Sequence, residues 1–185
     1  MWHGDWIISF KSDLILSRTT LESARNGAIN FHPCPPKYRG IGGYWWALQN
    51  KDSTFGVTCH HMDERIDNGT IIKVHSFPID AQETEEALRN KAAIHSLILL
   101  NEVLATITSG EKLIPCGIAW GSHLYTHKEL QAARTKHMAN TRITPELSTA
   151  INIENIFNSL EHAQNEIVSI CNHEQTLVNS GHRVA

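Results

Sequence analysis

In the N-terminal half of the chain, apolar residues fall in short bursts separated by Gly, Pro and Asn, while the C-terminal half carries longer stripes at helical spacing. The runs at residues 7–10 and 28–31 have the length of strands. Residues 19–26 between them have helical composition, and Gly27 suits a helix C-terminus. A strand, a short helix and another strand predict a parallel α/β unit. Residues 32–43 are rich in Pro and Gly and predict a loop; a short helix is expected over 44–49. Residues 56–61 alternate like a strand, and 71–79 read as another, ending near Pro78. A long helix is predicted over 81–108, with Leu88, Ala92, Leu99, Val103 and Ile107 on one stripe and Gly110 as its stop. Another short helix is expected over 130–138. Pro145 marks a boundary, and beyond it Ile153, Ile156, Phe157, Leu160, Ala163 and Ile167 predict an amphipathic helix over 152–171. Its apolar face packs either on its own domain or on a second subunit as a homodimer contact.

With 185 residues the chain suffices for one domain with a real core and a small appendage. The expected division is a catalytic region over 1–144 and a helical extension over 145–185. A formal net charge of -3 supplies no general reason to expect nucleic-acid binding, which needs clustered Lys and Arg. No apolar run approaches the roughly 20 residues of a membrane span; the longest, around 92–100, is bounded by Asn101 and carries His95. The four cysteines, Cys34, Cys59, Cys116 and Cys171, show no CxxC spacing and are expected as reduced thiols of a cytoplasmic protein.

The chemistry concentrates between Asn30 and Ile72. Asn30-Phe31-His32-Pro33 comes first, then Pro36-Lys37-Tyr38-Arg39-Gly40, Gly56-Val57-Thr58, Met62-Asp63 and Asp67-Asn68-Gly69-Thr70. Asn30 and His32 are two apart, so on a strand end they point to the same side. Asp67 precedes an Asn-Gly dipeptide at a turn. Taken singly, each has a plain structural explanation: Asn30 as a turn cap, His32 as a satisfied loop histidine, 67–69 as an ordinary turn.

Taken together, their order and spacing resemble the folate-dependent formyltransferase family. Its hallmarks are an Asn-x-His-Pro strand end, a Tyr/Phe-Arg-Gly loop, a Gly-Val-Thr strand and an Asp-x-Gly turn, all present here in order. The resemblance covers roughly residues 5–130. It implies an α/β fold: a partial Rossmann-like sheet with flanking helices, followed here by the helical extension. It further implies transfer of a formyl group from 10-formyltetrahydrofolate to a primary amine. Asn30 and His32 are the implied oxyanion donors, and His32 with Asp67 the implied proton carriers. The implied folate-binding residues are Leu16, in the loop after the first strand, and Asp63, Glu64, Arg65 and Ile66, in the loop before Asp67. No metal is required. The 12 histidines include adjacent His60 and His61, which a strand would turn to opposite faces, away from a common ion.

The chain departs from the family pattern in two places. The segment before Ile7 is shorter than in most members, which predicts a fragment, a reduced homologue or a chain completed by a partner. The 32–36 stretch is one residue shorter than in many members, and Cys34 stands where a small residue is usual. Residues 125–130 resemble a segment of sugar-nucleotide formyltransferases. The region after Pro145 is too short and helical for the β-rich tRNA-binding domain of methionyl-tRNA formyltransferases. An amino-sugar nucleotide or another small-molecule amine is therefore the expected substrate, with no nucleic-acid or membrane partner. A formyl-folate hydrolase and a non-catalytic homologue are the alternatives.

Overall fold

The computed structural model describes residues 4–12 and 14–141. By its internal contacts the chain divides into two units, 1–136 and 137–185. The first holds every element below except the last residues of the final helix. The expected helix over 152–171, and the dimer contact assigned to it, lie outside the described residues.

Strand β1 (Ile7–Phe10) runs parallel to β2 (Ala28–His32), as the strand–helix–strand order predicts. The connecting helix α1 (Arg18–Leu21) is shorter than expected. The Ser17 side chain caps its start, and the Ser23 hydroxyl then donates to the Thr20 carbonyl, competing with helical pairing. β4 (Thr54–His61) pairs antiparallel with β2, and β5 (Ile71–Pro78) antiparallel with β4. The sheet order is β1-β2-β4-β5, so the sheet is mixed rather than wholly parallel. The two-residue strands β3 (Arg39–Gly40) and β6 (Leu124–Tyr125) form a separate parallel pair.

Alternation along β2 and β4 divides their residues between two faces. Ile29, Phe31, Phe55, Val57 and Cys59 join the apolar core with Leu88, Ala92, Leu99 and Val103 of helix α3 (Glu85–Thr108). Ile107, the last residue of the predicted stripe, is half-buried against that core. α3 begins later than expected because the Thr84 side chain accepts from the Ala87 amide and caps it there. It packs on β4, β5 and on helix α2 (Gly43–Gln49). By length and mean hydropathy alone, 24 residues and 1.2, α3 reaches the range of a membrane span, where none was expected. Helix α4 (His127–Thr141) starts three residues before the predicted Leu130 because of a capping box. In that box Thr126 N–H donates to Glu129 Oε2 at 2.7 Å, and Glu129 N–H to the Thr126 hydroxyl at 3.2 Å.

Leu99 is fully enclosed, whereas Leu97 on the same helix is 52% exposed. Leu99→Ala should cost about 2–5 kcal/mol in a urea titration. Leu97→Ala should stay within about 0.5 kcal/mol of the parent.

Candidate active site

The face of β2 turned away from the core carries Asn30 and His32, near the carboxyl end of the strand. The antiparallel register sets Asn30 opposite His60 and His32 opposite Thr58. The register of β4 with β5 then slips by one residue between Cys59 and His60, a bulge beside the site; bulges recur where a side chain must be re-aimed. Polar residues on this face are buried: His32, Thr58, His60 and, from the following loop, Asp67.

The loop leaving β2 returns to grip what it left. Tyr38 is completely buried, and its hydroxyl donates to Asp52 Oδ2 at 2.5 Å. Its carbonyl accepts from His32 Nε2 at 2.8 Å. The next residue, Arg39, reaches across to the 66–68 turn: Nε donates to the Asp67 carbonyl at 2.6 Å and Nη2 to that of Ile66 at 3.3 Å. Gly40 N–H donates to Asp67 Oδ2 at 2.7 Å. Gly40 has φ 82°, and a Cβ there would collide with the Tyr125 carbonyl, so the position admits little but glycine. Gly69 serves a different need: a Cβ would strike the His61 carbonyl, so only glycine lets the turn lie this close to the end of β4. Asp67 itself has φ 44°, a left-handed conformation that Asp tolerates better than most residues. Thr58 donates from its hydroxyl to the Cys34 carbonyl at 2.8 Å and anchors the start of the loop.

These contacts bring two histidines to one carboxylate. His32 Nδ1 is 3.4 Å from Asp67 Oδ2, and His60 Nε2 is 3.7 Å from Asp67 Oδ1. His60 Nδ1 donates to the His61 carbonyl at 2.7 Å. Burial pushes the His60 imidazole below its ordinary 6.5, outweighing the opposite effects of that hydrogen bond and of Asp67. Trp120 stands edge-on to both rings, 4.9 Å from His60 and 5.9 Å from His32, and its indole N–H donates to the Gly69 carbonyl at 2.7 Å. Cys34 is buried nearby; burial and the Asp67 charge push its thiol up, which leaves it protonated and inert.

A cavity of about 810 Å³ opens over Asn30, His32, His60 and Asp67. Ser9 and Lys11, at the end of β1, and Tyr125, Thr126 and His127 also line it. Of the expected folate residues, Leu16, Asp63, Arg65 and Ile66 line this cavity, together with Leu14 and Ile15. Glu64 is on the same loop but exposed and outside the wall. Burial pushes the Asp63 carboxyl up, but hydrogen bonds from Asn68 and Arg65 prevail and hold it below its ordinary value.

A family model described as formyl transferase matches residues 2–104. The chain belongs to the formyl transferase family. Over 104 residues it is 38% identical to the bifunctional polymyxin resistance protein ArnA of Wigglesworthia glossinidia brevipalpis, covering 56% of this chain and 16% of that one. It is 29% identical over 108 residues to the GDP-perosamine N-formyltransferase of Brucella abortus, covering 58% and 42%. Among solved structures it resembles WlaRD, a sugar 3N-formyltransferase crystallised with dTDP and 5-N-formyl-tetrahydrofolate. The TM-score there is 0.55 at 26% identity, over 66% of this chain and 44% of the other. The chain thus spans less than half the length of these relatives.

In formyl transferase terms, the motifs that carry the resemblance are one connected object. Asn-x-His supplies two polar side chains, Tyr-Arg-Gly fastens the loop, Gly-Val-Thr supplies the facing strand, and Asp-x-Gly returns a carboxylate. Two further residues join the expected trio here, His60 and Trp120. Strand parity offered the signal for His60, because pairing residues 28–32 with 58–61 places it beside Asn30. Trp120 lies in a segment without regular structure that is tied to Ile71 by the Cys116 amide and to Pro36 by the Gly121 amide, and no local pattern announces it.

The neutral burial of His60 has a consequence for stability. Its pKa in the folded formyl transferase domain lies below that of the unfolded chain, so below about pH 6.5 the unfolded state binds more protons. Stability is full above that pH and falls as pH drops from there through the folded-state value. His61 and His95, both also lowered by burial, act in the same direction. The urea midpoint should fall between pH 7.5 and 5.5, and His60→Gln should remove part of that slope. A midpoint with unchanged slope in the variant would contradict the neutral burial.

Proposed function

We propose that this chain carries the reaction centre of a 10-formyltetrahydrofolate-dependent formyltransferase that acts on a primary amine of a small molecule, an amino-sugar nucleotide first among them. The observation that carries the proposal is the convergence of Asn30, His32 and Asp67 on one cavity at the end of β2. Ligands bind in such a crevice in open α/β folds. The similarity to sugar formyltransferases supports the substrate class. The catalytic region is assigned to residues 1–144 and an extension to 145–185.

The cavity suits a folate. Leu14 and Ile15 are 73% and 70% exposed, and Ile66 from the other loop lines the same cavity; apolar side chains left open at a cavity fit the flat face of a pterin. Leu16, Asp63, Arg65 and Ile66 would hold it. Glu64 would act from the rim. When bound, the formyl-folate supplies an activated one-carbon acyl group. The chain's own residues then have separable tasks. Asn30 Nδ2 offers an N–H toward the acyl oxygen, where negative charge grows during transfer. His32 has its Nε2–H committed to the Tyr38 carbonyl, so Nδ1, beside Asp67, is the ring atom that exchanges a proton. Asp67 takes up or returns that proton directly or through one water, the 3.4 Å gap being long for a direct hydrogen bond.

Asn30→Ala should lower the transfer rate about 10²–10³-fold. Asp67→Asn should remain folded, because Asn also tolerates the left-handed backbone and its side-chain oxygen still accepts from Gly40, yet lose transfer with the charge. The assay mixes 10-formyltetrahydrofolate with a panel of amino-sugar nucleotides and follows tetrahydrofolate release. Amine-dependent release supports a transferase. Equal release with and without amine would make it a hydrolase. Absence of both turnover and folate binding in a folded sample would leave a non-catalytic homologue.

A further inference from the structure

We infer that His60 is a positioning residue that aims the Asn30 amide, through the lone pair on its Nε2. The inference rests on the formyl-transfer proposal above. Asn30 Nδ2 lies 3.2 Å from His60 Nε2. An amide nitrogen brings two hydrogens and no lone pair, so the contact requires Nε2 to be bare. The other ring nitrogen meets the His61 carbonyl oxygen at 2.7 Å, and a carbonyl can only accept. One hydrogen on Nδ1 and none on Nε2 satisfies both contacts at once. One amide hydrogen of Asn30 is then committed to His60. The amide plane is fixed, and the second hydrogen is left for a ligand in the cavity.

The surroundings hold His60 in that state. His60 is only 2% exposed, with the Trp120 indole against its ring and the β4–β5 bulge falling at its own backbone position. The charged and titratable groups acting on it are Asp67, 3.7 Å from Nε2, His32 and Asp63. A proton added to Nε2 would meet the Asn30 N–H head-on and turn toward Asp67, leaving the amide without its acceptor. An apolar side chain of similar size would fill the same space without supplying the lone pair, which separates positioning from packing.

The tautomer is read directly by long-range nitrogen-15 NMR on the full chain at pH 7.5, with no turnover needed. A protonated Nδ1 and a bare Nε2 are expected; a hydrogen on Nε2, alone or in an imidazolium, overturns the inference. Kinetics supply the second arm. His60→Leu should lower kcat about as far as Asn30→Ala, roughly 10²-fold, with KM for the formyl donor unchanged. His60→Gln places an amide oxygen near the same point and should recover to within about tenfold of the parent. The Asn30→Ala/His60→Leu pair should be little worse than Asn30→Ala alone, since the two residues act as one unit. Additive losses, or a Gln variant as poor as Leu, would overturn the inference while leaving the catalytic centre standing. If Asn30→Ala itself leaves transfer unchanged, the catalytic proposal falls instead, and the NMR result still decides the state of His60.

Discussion

Three consecutive residues hold the two ends of this site together. Tyr38 offers its carbonyl to His32, Arg39 ties down the backbone of the 66–68 turn, and Gly40 gives its amide to the Asp67 carboxylate. His32 and Asp67 are far apart along the chain and on different elements. Their separation is therefore set by this one segment rather than by their own short-range structure. The segment is itself fixed at the Tyr38 ring, which is sealed in the core between Phe55 and Tyr125 and bonded to Asp52. Packing energy in the core is in this way converted into the geometry of polar groups outside it.

The same logic explains why so many partners in the site are backbone atoms. A buried polar group left unpaired costs about 1–3 kcal/mol, so every side chain on this face needs a matched neighbour. His32 and His60 each use one ring nitrogen on a carbonyl, Thr58 uses its hydroxyl on another, and Asp67 accepts from an amide. Backbone partners move only when the fold moves. They hold the side chains in place while leaving Nδ1 of His32 and the second hydrogen of Asn30 free of backbone partners.

Much of this was legible in the residues. Strand β2, the loop after it and the α3 stripe follow from local periodicity and composition, and the family resemblance singles out Asn30, His32 and Asp67, which the fold brings to one cavity. What escaped was set by distant pairing. The antiparallel β2–β4 register, which makes His60 a neighbour of Asn30, is a tertiary fact; read along the chain, His60 and His61 looked only like a failed metal pair. Trp120 reaches the histidines from a segment with almost no regular structure, held by single hydrogen bonds to Ile71 and Pro36. The starts of α3 and α4 shifted because Thr84 and Thr126 cap them, and a cap overrules the apolar stripe at the first turn.

One carboxylate faces two imidazoles, and the partners of each ring's nitrogens distinguish them. His60 has given its only hydrogen to a carbonyl and receives one from Asn30, so its lone pair is already in use. His32 has also given its hydrogen to a carbonyl, but its Nδ1 faces Asp67 alone, at 3.4 Å against 3.7 Å for His60. A proton added to His60 Nε2 would break the Asn30 contact, whereas His32 Nδ1 carries no such contact. The two histidines face the same carboxylate, yet their hydrogen bonds distinguish them: His60 has both ring nitrogens engaged, whereas His32 keeps Nδ1 turned to Asp67.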